Sequence, residues 1–280
     1  MTVYAVSDPQ YFFIIGAMKA GTTSLYKYLS GHPDLYPSPR KEPRIFRDPG
    51  DPASIRSAFL TLFDGRGTER WCFEASTAYT KHPMVSGVPR RIQAVAPDAR
   101  FVYLVRHPIE RTWSQYVHNV AHGRETLPFE QALEKRPSYL DTSRYGLQLR
   151  QYHEVFPRHR VLVQVFEEMV KDPGSTVRAV CEFLDVDTSY RPSTADIAYN
   201  ASSTKRAASP SLRAVRALGI DELVPGRIWH RLKTGGAPLP AKDASLTPAL
   251  RALVAESLKD DTHAFFELLG RPIPSWTEFA

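Results

Sequence analysis

Lys19 stands in a glycine-rich turn that follows an apolar run: Phe12-Phe13-Ile14-Ile15 leads into Gly16-Ala17-Met18-Lys19-Ala20-Gly21-Thr22-Thr23-Ser24. Glycines let the backbone turn tightly enough for its N–H groups to converge, a following helix adds its positive N-terminal end, and the lysine supplies a full charge. The chemistry is anion binding, with phosphate as the natural anion. The spacing departs from the nucleotide P-loop G-x-x-x-x-G-K-[ST], in which lysine follows the second glycine. Here Lys19 precedes Gly21, and Thr22 occupies the place of that lysine. A second set lies downstream. Arg106 ends the run Phe101-Val102-Tyr103-Leu104-Val105, Pro108 suits a first helical position, and Ser114 falls inside the helix this predicts. A guanidinium grips phosphate bidentately, and a serine hydroxyl adds a neutral donor.

These residues need elements to hold them, and the hydrophobic pattern supplies an α/β alternation. Strands are predicted at Tyr11–Ile15, Trp71–Phe73, Phe101–Val105 and Val161–Phe166, and helices at 23–29, 88–96, 109–121, 145–156, 177–184 and 247–269. The run at Phe101–Val105 has no polar break, as expected of a strand buried on both faces of a parallel sheet. Residues 36–52 are dense in Pro, Arg and Asp and read as a functional loop beside the anion cradle. Ligands of open α/β sheets bind outside the carboxyl ends of the strands, so the Lys19 loop and Arg106 are expected to share one ligand.

The chain has 280 residues, 42% hydrophobic, a net charge of +6 and two cysteines. That length favours a single α/β domain over residues 1–280, with an irregular basic segment at about 195–245 that includes Arg213, Arg216, Arg227, Arg231 and Lys233. No apolar run approaches the about 20 residues that span a bilayer. The first ten residues lack the basic start and long apolar segment of a secretory signal, which predicts a cytoplasmic protein. Cys72 and Cys181 read as two buried thiols rather than a disulfide or metal framework. The positive charge fits an anionic ligand, and equally nucleic acid or an anionic membrane met by the basic stretch after Lys205.

Taken together, strand-Gly-x-x-Lys-x-Gly-Thr-Thr and strand-Arg-x-Pro-x-x-Arg-x-x-Ser-x-Tyr (Arg106, Pro108, Arg111, Ser114, Tyr116) resemble the sulfotransferases that use 3′-phosphoadenosine 5′-phosphosulfate (PAPS). The similarity is to the branch of the heparan sulfate N- and 3-O-sulfotransferases and their bacterial relatives. It extends to Gly31–Leu35, Lys41–Phe46, Glu74–Tyr79 and Phe265–Arg271. The resemblance implies a P-loop-like three-layer fold, a central parallel sheet flanked by helices. It also implies PAPS as donor, 3′-phosphoadenosine 5′-phosphate (PAP) as product, and no metal. It carries Gly16, Lys19, Ala20, Gly21, Thr22, Thr23 and Ser24 to the 5′-phosphosulfate, and Arg106 with Ser114 to the 3′-phosphate.

The resemblance further implies that Glu42 takes the acceptor's proton, with Glu74 as the alternative carboxylate. His118, four residues after Ser114 and on the same helical face, corresponds to a histidine of the N-sulfotransferases that steadies the transferring group or orients the acceptor. Lys205 and Arg206 fall in the family's cofactor-closing loop. Two departures stand out: His107 replaces the usual aspartate between Arg106 and Pro108, and Ala75 replaces a lysine that follows Glu74's counterpart in some heparan sulfate enzymes.

The expected reaction is in-line sulfuryl transfer to a hydroxylated small molecule, glycan or lipid. Two competitors differ in class. A P-loop kinase would need ATP and Mg²⁺ and is opposed by the lysine's position. A nucleic-acid-binding module rests on charge alone and lacks zinc-site spacing or an RNP-type aromatic signature.

Overall fold

The computed structural model describes residues 8–192 and 246–279. Five parallel strands form one sheet in the order β2-β3-β1-β4-β5. They are β1 (Gln10–Gly16), β2 (Leu35–Pro37), β3 (Trp71–Ala75), β4 (Arg100–Val105) and β5 (Val161–Val165). β1 is central, and Phe12, Phe13, Ile14 and Ile15 are fully buried, which is why an unbroken apolar run rather than an alternating one specifies it. Phe12 stacks on Phe73 at 4.6 Å and Phe13 on Phe101 at 5.8 Å, so neighbouring strands are fixed in register by aromatic pairs.

Helices flank this sheet: α1 (Thr22–Leu29), α2 (Pro52–Leu60), α3 (Val88–Val95), α4 (Pro108–Ala121), α5 (Phe129–Lys135), α6 (Ser138–Asp141), α7 (Tyr145–His153), α8 (Phe166–Lys171), α9 (Pro173–Leu184) and α10 (Pro248–Leu269). The α/β class and the parallel sheet flanked by helices are as the sequence predicts. No helix among the described residues is long and apolar enough to cross a membrane.

Several boundaries differ from expectation. The second predicted strand runs on through Glu74 to Ala75, so Glu74 lies inside the sheet rather than beyond its end. Phe166 leaves β5 and starts α8, where Glu167 and Glu168 supply the acidic first turn that suits a helix N-terminus. The loop after β2 ends at a helix the hydrophobic pattern did not reveal, α2. Its Asp51 cap accepts from the Ser54 amide at 2.8 Å, and Phe59 is its only buried residue.

All five strands point the same way, so the loops after β1, β3, β4 and β5 emerge at one edge. The chain leaves β1 for β2, returns through β3, then crosses to β4 and β5 on the other side. The crevice between the carboxyl ends of β1 and β4 is therefore the point where the winding reverses, the place at which such sheets bind ligands.

Candidate active site

The Lys19 loop is shaped by contacts that glycine alone permits. A Cβ on Gly16 would lie 2.0 Å from Thr80 Oγ1, whose hydroxyl donates to the Ile15 carbonyl at 2.9 Å. Gly21 has φ +89°, and a Cβ there would meet Met169 Cε at 2.6 Å and Phe166 Cδ2 at 2.7 Å, so the loop lies directly against α8. Lys19 itself takes a left-handed backbone, φ 74°, a conformation that costs a non-glycine residue free energy and concentrates at binding sites. Gly21 caps α1 by accepting from the Ser24 amide at 2.9 Å. Among the described residues, the amides of Thr22 and Thr23 make no backbone hydrogen bond. They are the donors a helix N-terminus offers to an anion. Thr22 and Ser24 are buried, while Lys19 and Thr23 are half-buried.

Arg106 reaches this loop from the end of β4. Its Nη1 donates to the Lys19 carbonyl at 3.2 Å, and the guanidinium lies over the Phe166 ring at 5.0 Å. Tyr145 fixes the backbone by donating its hydroxyl to the Arg106 carbonyl at 2.6 Å. Burial lowers the pKa of the guanidinium, opposed by the charges of Glu110 and Glu167. Arg106 is only 6% exposed, yet its Nε has no hydrogen-bond partner, and neither does the hydroxyl of Ser114, 3% exposed. A buried donor without an acceptor is costly, so these atoms are suited to an anionic ligand. Arg111, the other arginine of the motif, is fully buried and structural. It bonds Ser143, Gln115 and the Tyr139 carbonyl, tying α4 to the segment before α7.

His107 stands at the N-cap of α4 and makes no capping bond from its side chain. Its Nε2 lies 2.9 Å from Glu278 Oε2, while its backbone amide donates to Glu167 Oε1 at 2.9 Å. The histidine that stands between Arg106 and Pro108 is thus paired with an acid from the far end of the chain.

Glu42 occupies the neighbouring station, beyond β3. Its amide donates to the Ala75 carbonyl at 2.8 Å, which docks the long loop onto the sheet edge. Glu42 and Arg44 both have left-handed backbones, φ 64° and 59°, on either side of Pro43. The carboxylate accepts from Lys41 Nζ at 2.7 Å and from the amide and hydroxyl of Thr77 at 3.0–3.2 Å. Burial pushes its pKa up, but the charge and hydrogen bond of Lys41 and the Thr77 donors outweigh this and hold it below the usual value. Lys81 is a further cation here: burial pulls its ammonium down to about 8 against the raising effect of Glu42.

Glu74 is different in kind. It is completely buried, accepts from Ser76 Oγ at 2.7 Å, and burial pushes its carboxyl up to about 7. Ser76 in turn accepts from the Arg44 amide at 3.1 Å, so Glu74 braces the loop that carries Glu42. Its position inside the strand, not after it, keeps it from the open edge.

Lys19 and Arg106 are therefore joined at one crevice, with Ser114 buried on the helix that follows Arg106 and Glu42 beyond the adjacent strand end. His118 is half-buried one turn beyond Ser114, its ring 4.1 Å from that of His122. Lys205, Arg206 and the basic segment lie outside the described residues. Phe166, Glu110, Arg251 and Glu278 were missed from the sequence. Glu110 had a local signal, four residues after Arg106; the others are brought in only by the fold.

The family model described as "Sulfotransferase family" matches residues 50–190. The bifunctional heparan sulfate N-deacetylase/N-sulfotransferase 2 of Bos taurus is 24% identical over 302 residues, covering 95% of this chain and 30% of that protein. The heparan sulfate glucosamine 3-O-sulfotransferase 6 of Homo sapiens is 31% identical over 182 residues, covering 61% of this chain and 51% of that protein. The chain thus spans about half or less of the length of these curated relatives. A solved sulfotransferase from Alicyclobacillus acidocaldarius superposes with a TM-score of 0.70 at 28% identity, covering 97% of this chain and all of that one. With a family match over half of its length and a full-length structural counterpart, the chain belongs to the sulfotransferase family.

Proposed function

We propose that this chain moves the sulfuryl group of PAPS to a hydroxyl of a glycan, lipid or small-molecule acceptor. The observation that carries the reading is the join between the two anion stations. Arg106 donates to the carbonyl of Lys19 while its own Nε and the Ser114 hydroxyl stay buried without partners. A ligand with two separated phosphate groups suits this pair better than a single phosphate does. The Lys19 loop and the first amides of α1 would hold the 5′-phosphosulfate, with Arg106 and Ser114 on the 3′-phosphate. When bound, PAPS supplies an activated sulfuryl group.

Lys19 and the amides of Thr22 and Thr23 stabilise the negative charge that grows on the leaving side, where fixed donors contribute most. Glu42 takes the acceptor's hydroxyl proton on a carboxylate oxygen. Its lowered pKa keeps it ionised at neutral pH, and the alcohol proton becomes acidic enough to pass only as its oxygen forms the new bond. His118, on α4, steadies the transferring group or orients the acceptor. Relatives that carry N- and 3-O-sulfotransferase in their names support sulfuryl transfer without choosing between hydroxyl and amine.

Offering acceptor pools with isotopically labelled PAPS, and separately with ATP, and reading the products by mass spectrometry tests the reading. Label is expected only from PAPS, and Glu42→Gln is expected to slow transfer about 100-fold. Transfer from ATP, or the absence of any PAP binding, would remove the donor assignment.

A further inference from the structure

Two arginines compete for one carboxylate beside the proposed 3′-phosphate clamp. Glu110 lies four residues after Arg106, close enough to pair with it. The structure divides it unequally: Arg251, from α10, donates Nη1 to Glu110 Oε1 at 2.9 Å, whereas Arg106 Nη2 keeps only a long ion pair, 4.0 Å, with Glu110 Oε2. Arg251 is held in turn, its Nε donating to Glu278 Oε1 at 2.7 Å. The other oxygen of Glu278 meets His107 Nε2 at 2.9 Å, and the His107 ring packs on Trp276 and Phe279. The chain of contacts therefore starts and ends on the first turn of α4, at His107 and Glu110, and closes through the C-terminal segment. Burial works against ionising Glu278, but Arg251 and His107 outweigh it and hold its carboxyl at about 2. The Glu278 carboxylate therefore stays ionised at neutral pH.

The consequence falls on Arg106. With Glu110 drawn onto Arg251, the guanidinium keeps Nη1 on the Lys19 carbonyl and its face on Phe166, and its buried Nε remains open. We infer that Arg251 is a positioning residue for donor binding: it limits Glu110 to a long ion pair with Arg106, so that the guanidinium meets the donor's 3′-phosphate rather than closing on an internal carboxylate. Glu278 fixes Arg251, and His107 anchors Glu278. The inference rests on the PAPS reading above. Without Arg251, Glu110 closes the gap to a largely buried cation, and a pair with so little solvent screening is strong enough to rival the phosphate.

Titration calorimetry of the full chain with PAP and with adenosine 5′-phosphosulfate, which lacks the 3′-phosphate, tests this. Arg251→Ala is expected to weaken PAP about tenfold and to leave adenosine 5′-phosphosulfate unchanged. The double variant R251A/E110Q is expected to recover wild-type PAP affinity, because a neutral amide does not capture the arginine. Glu110→Gln alone is expected to bind PAP at least as tightly as wild type, an arm that stands whether or not R251A folds. A normal R251A, a loss that persists in the double variant, an equal loss toward both nucleotides, or a weakened E110Q would each overturn the inference. Wild-type protein that binds no PAP would instead remove the donor reading beneath it.

Discussion

Lys19 and the two glutamates show how one edge of a sheet gives like-charged or opposite groups separate tasks. Lys19 is held in a left-handed conformation and half-buried, with its carbonyl committed to Arg106. In the proposed reaction its charge is most valuable where negative charge grows during transfer. Lys19→Ala is therefore expected to lower kcat about 100-fold or more while weakening PAP much less, as read by steady-state kinetics beside calorimetry. Equal losses would return the lysine to a simple binding role. Glu42 is kept ionised by Lys41 and Thr77, whereas burial pushes Glu74 up to about 7. The sign for Glu74 follows from linkage. The unfolded carboxyl ionises in the ordinary range and the folded one only near 7, so stability present at acid pH is lost as pH rises toward 7. Glutamine at this site escapes that loss. Glu74→Gln is expected to gain stability relative to wild type between pH 5 and pH 8, by up to about 3 kcal/mol; a gap in unfolding free energy that does not change with pH would contradict it. That Lys19 and Arg106 meet was legible because each sits a few residues from the end of a neighbouring strand. The contrast between Glu42 and Glu74 was not, because it depends on which carboxylate the sheet encloses.

At the scale of elements, the site depends on how closely the first loop approaches α8. Gly21 combines φ +89° with contacts that leave no room for a methyl group against Phe166 and Met169. Gly21→Ala is expected to cost about 1–3 kcal/mol in urea unfolding and to weaken PAP as the loop lifts from Phe166. Unchanged stability and affinity would show that the loop tolerates the side chain. The sequence marked this loop, and it marked β1 and β4 well because strands buried on both faces read as unbroken apolar runs. It placed the end of β3 too early, since Glu74 looks like the start of a loop until its bonds to Ser76 and the sheet are known. It placed the end of β5 too late, because Phe166 is apolar whether it extends a strand or opens a helix over Arg106. Short α2 was not legible: its nine residues bury one side chain, too few for a helical stripe.

For the whole molecule, the end of the chain returns to the beginning of α4. Trp276 is fully buried among Tyr145, Phe265 and Phe266 and packs on the His107 ring. Trp276→Ala is expected to destabilise by about 3–5 kcal/mol in thermal or chemical unfolding. It is also expected to weaken PAP, because the packing that seats Glu278 and His107 is lost. A variant that is destabilised but binds PAP normally would separate the core from the site. The sequence by itself determined the α/β class and the family, since both are written in the order of a few neighbouring residues and in apolar periodicity. Only the tertiary structure decided which carboxylate is buried, what covers Arg106, and which acid pairs with His107. Those depend on parallel strands bringing four loops to one edge, and on contacts such as Glu278 with His107, 171 positions apart, that no local pattern encodes.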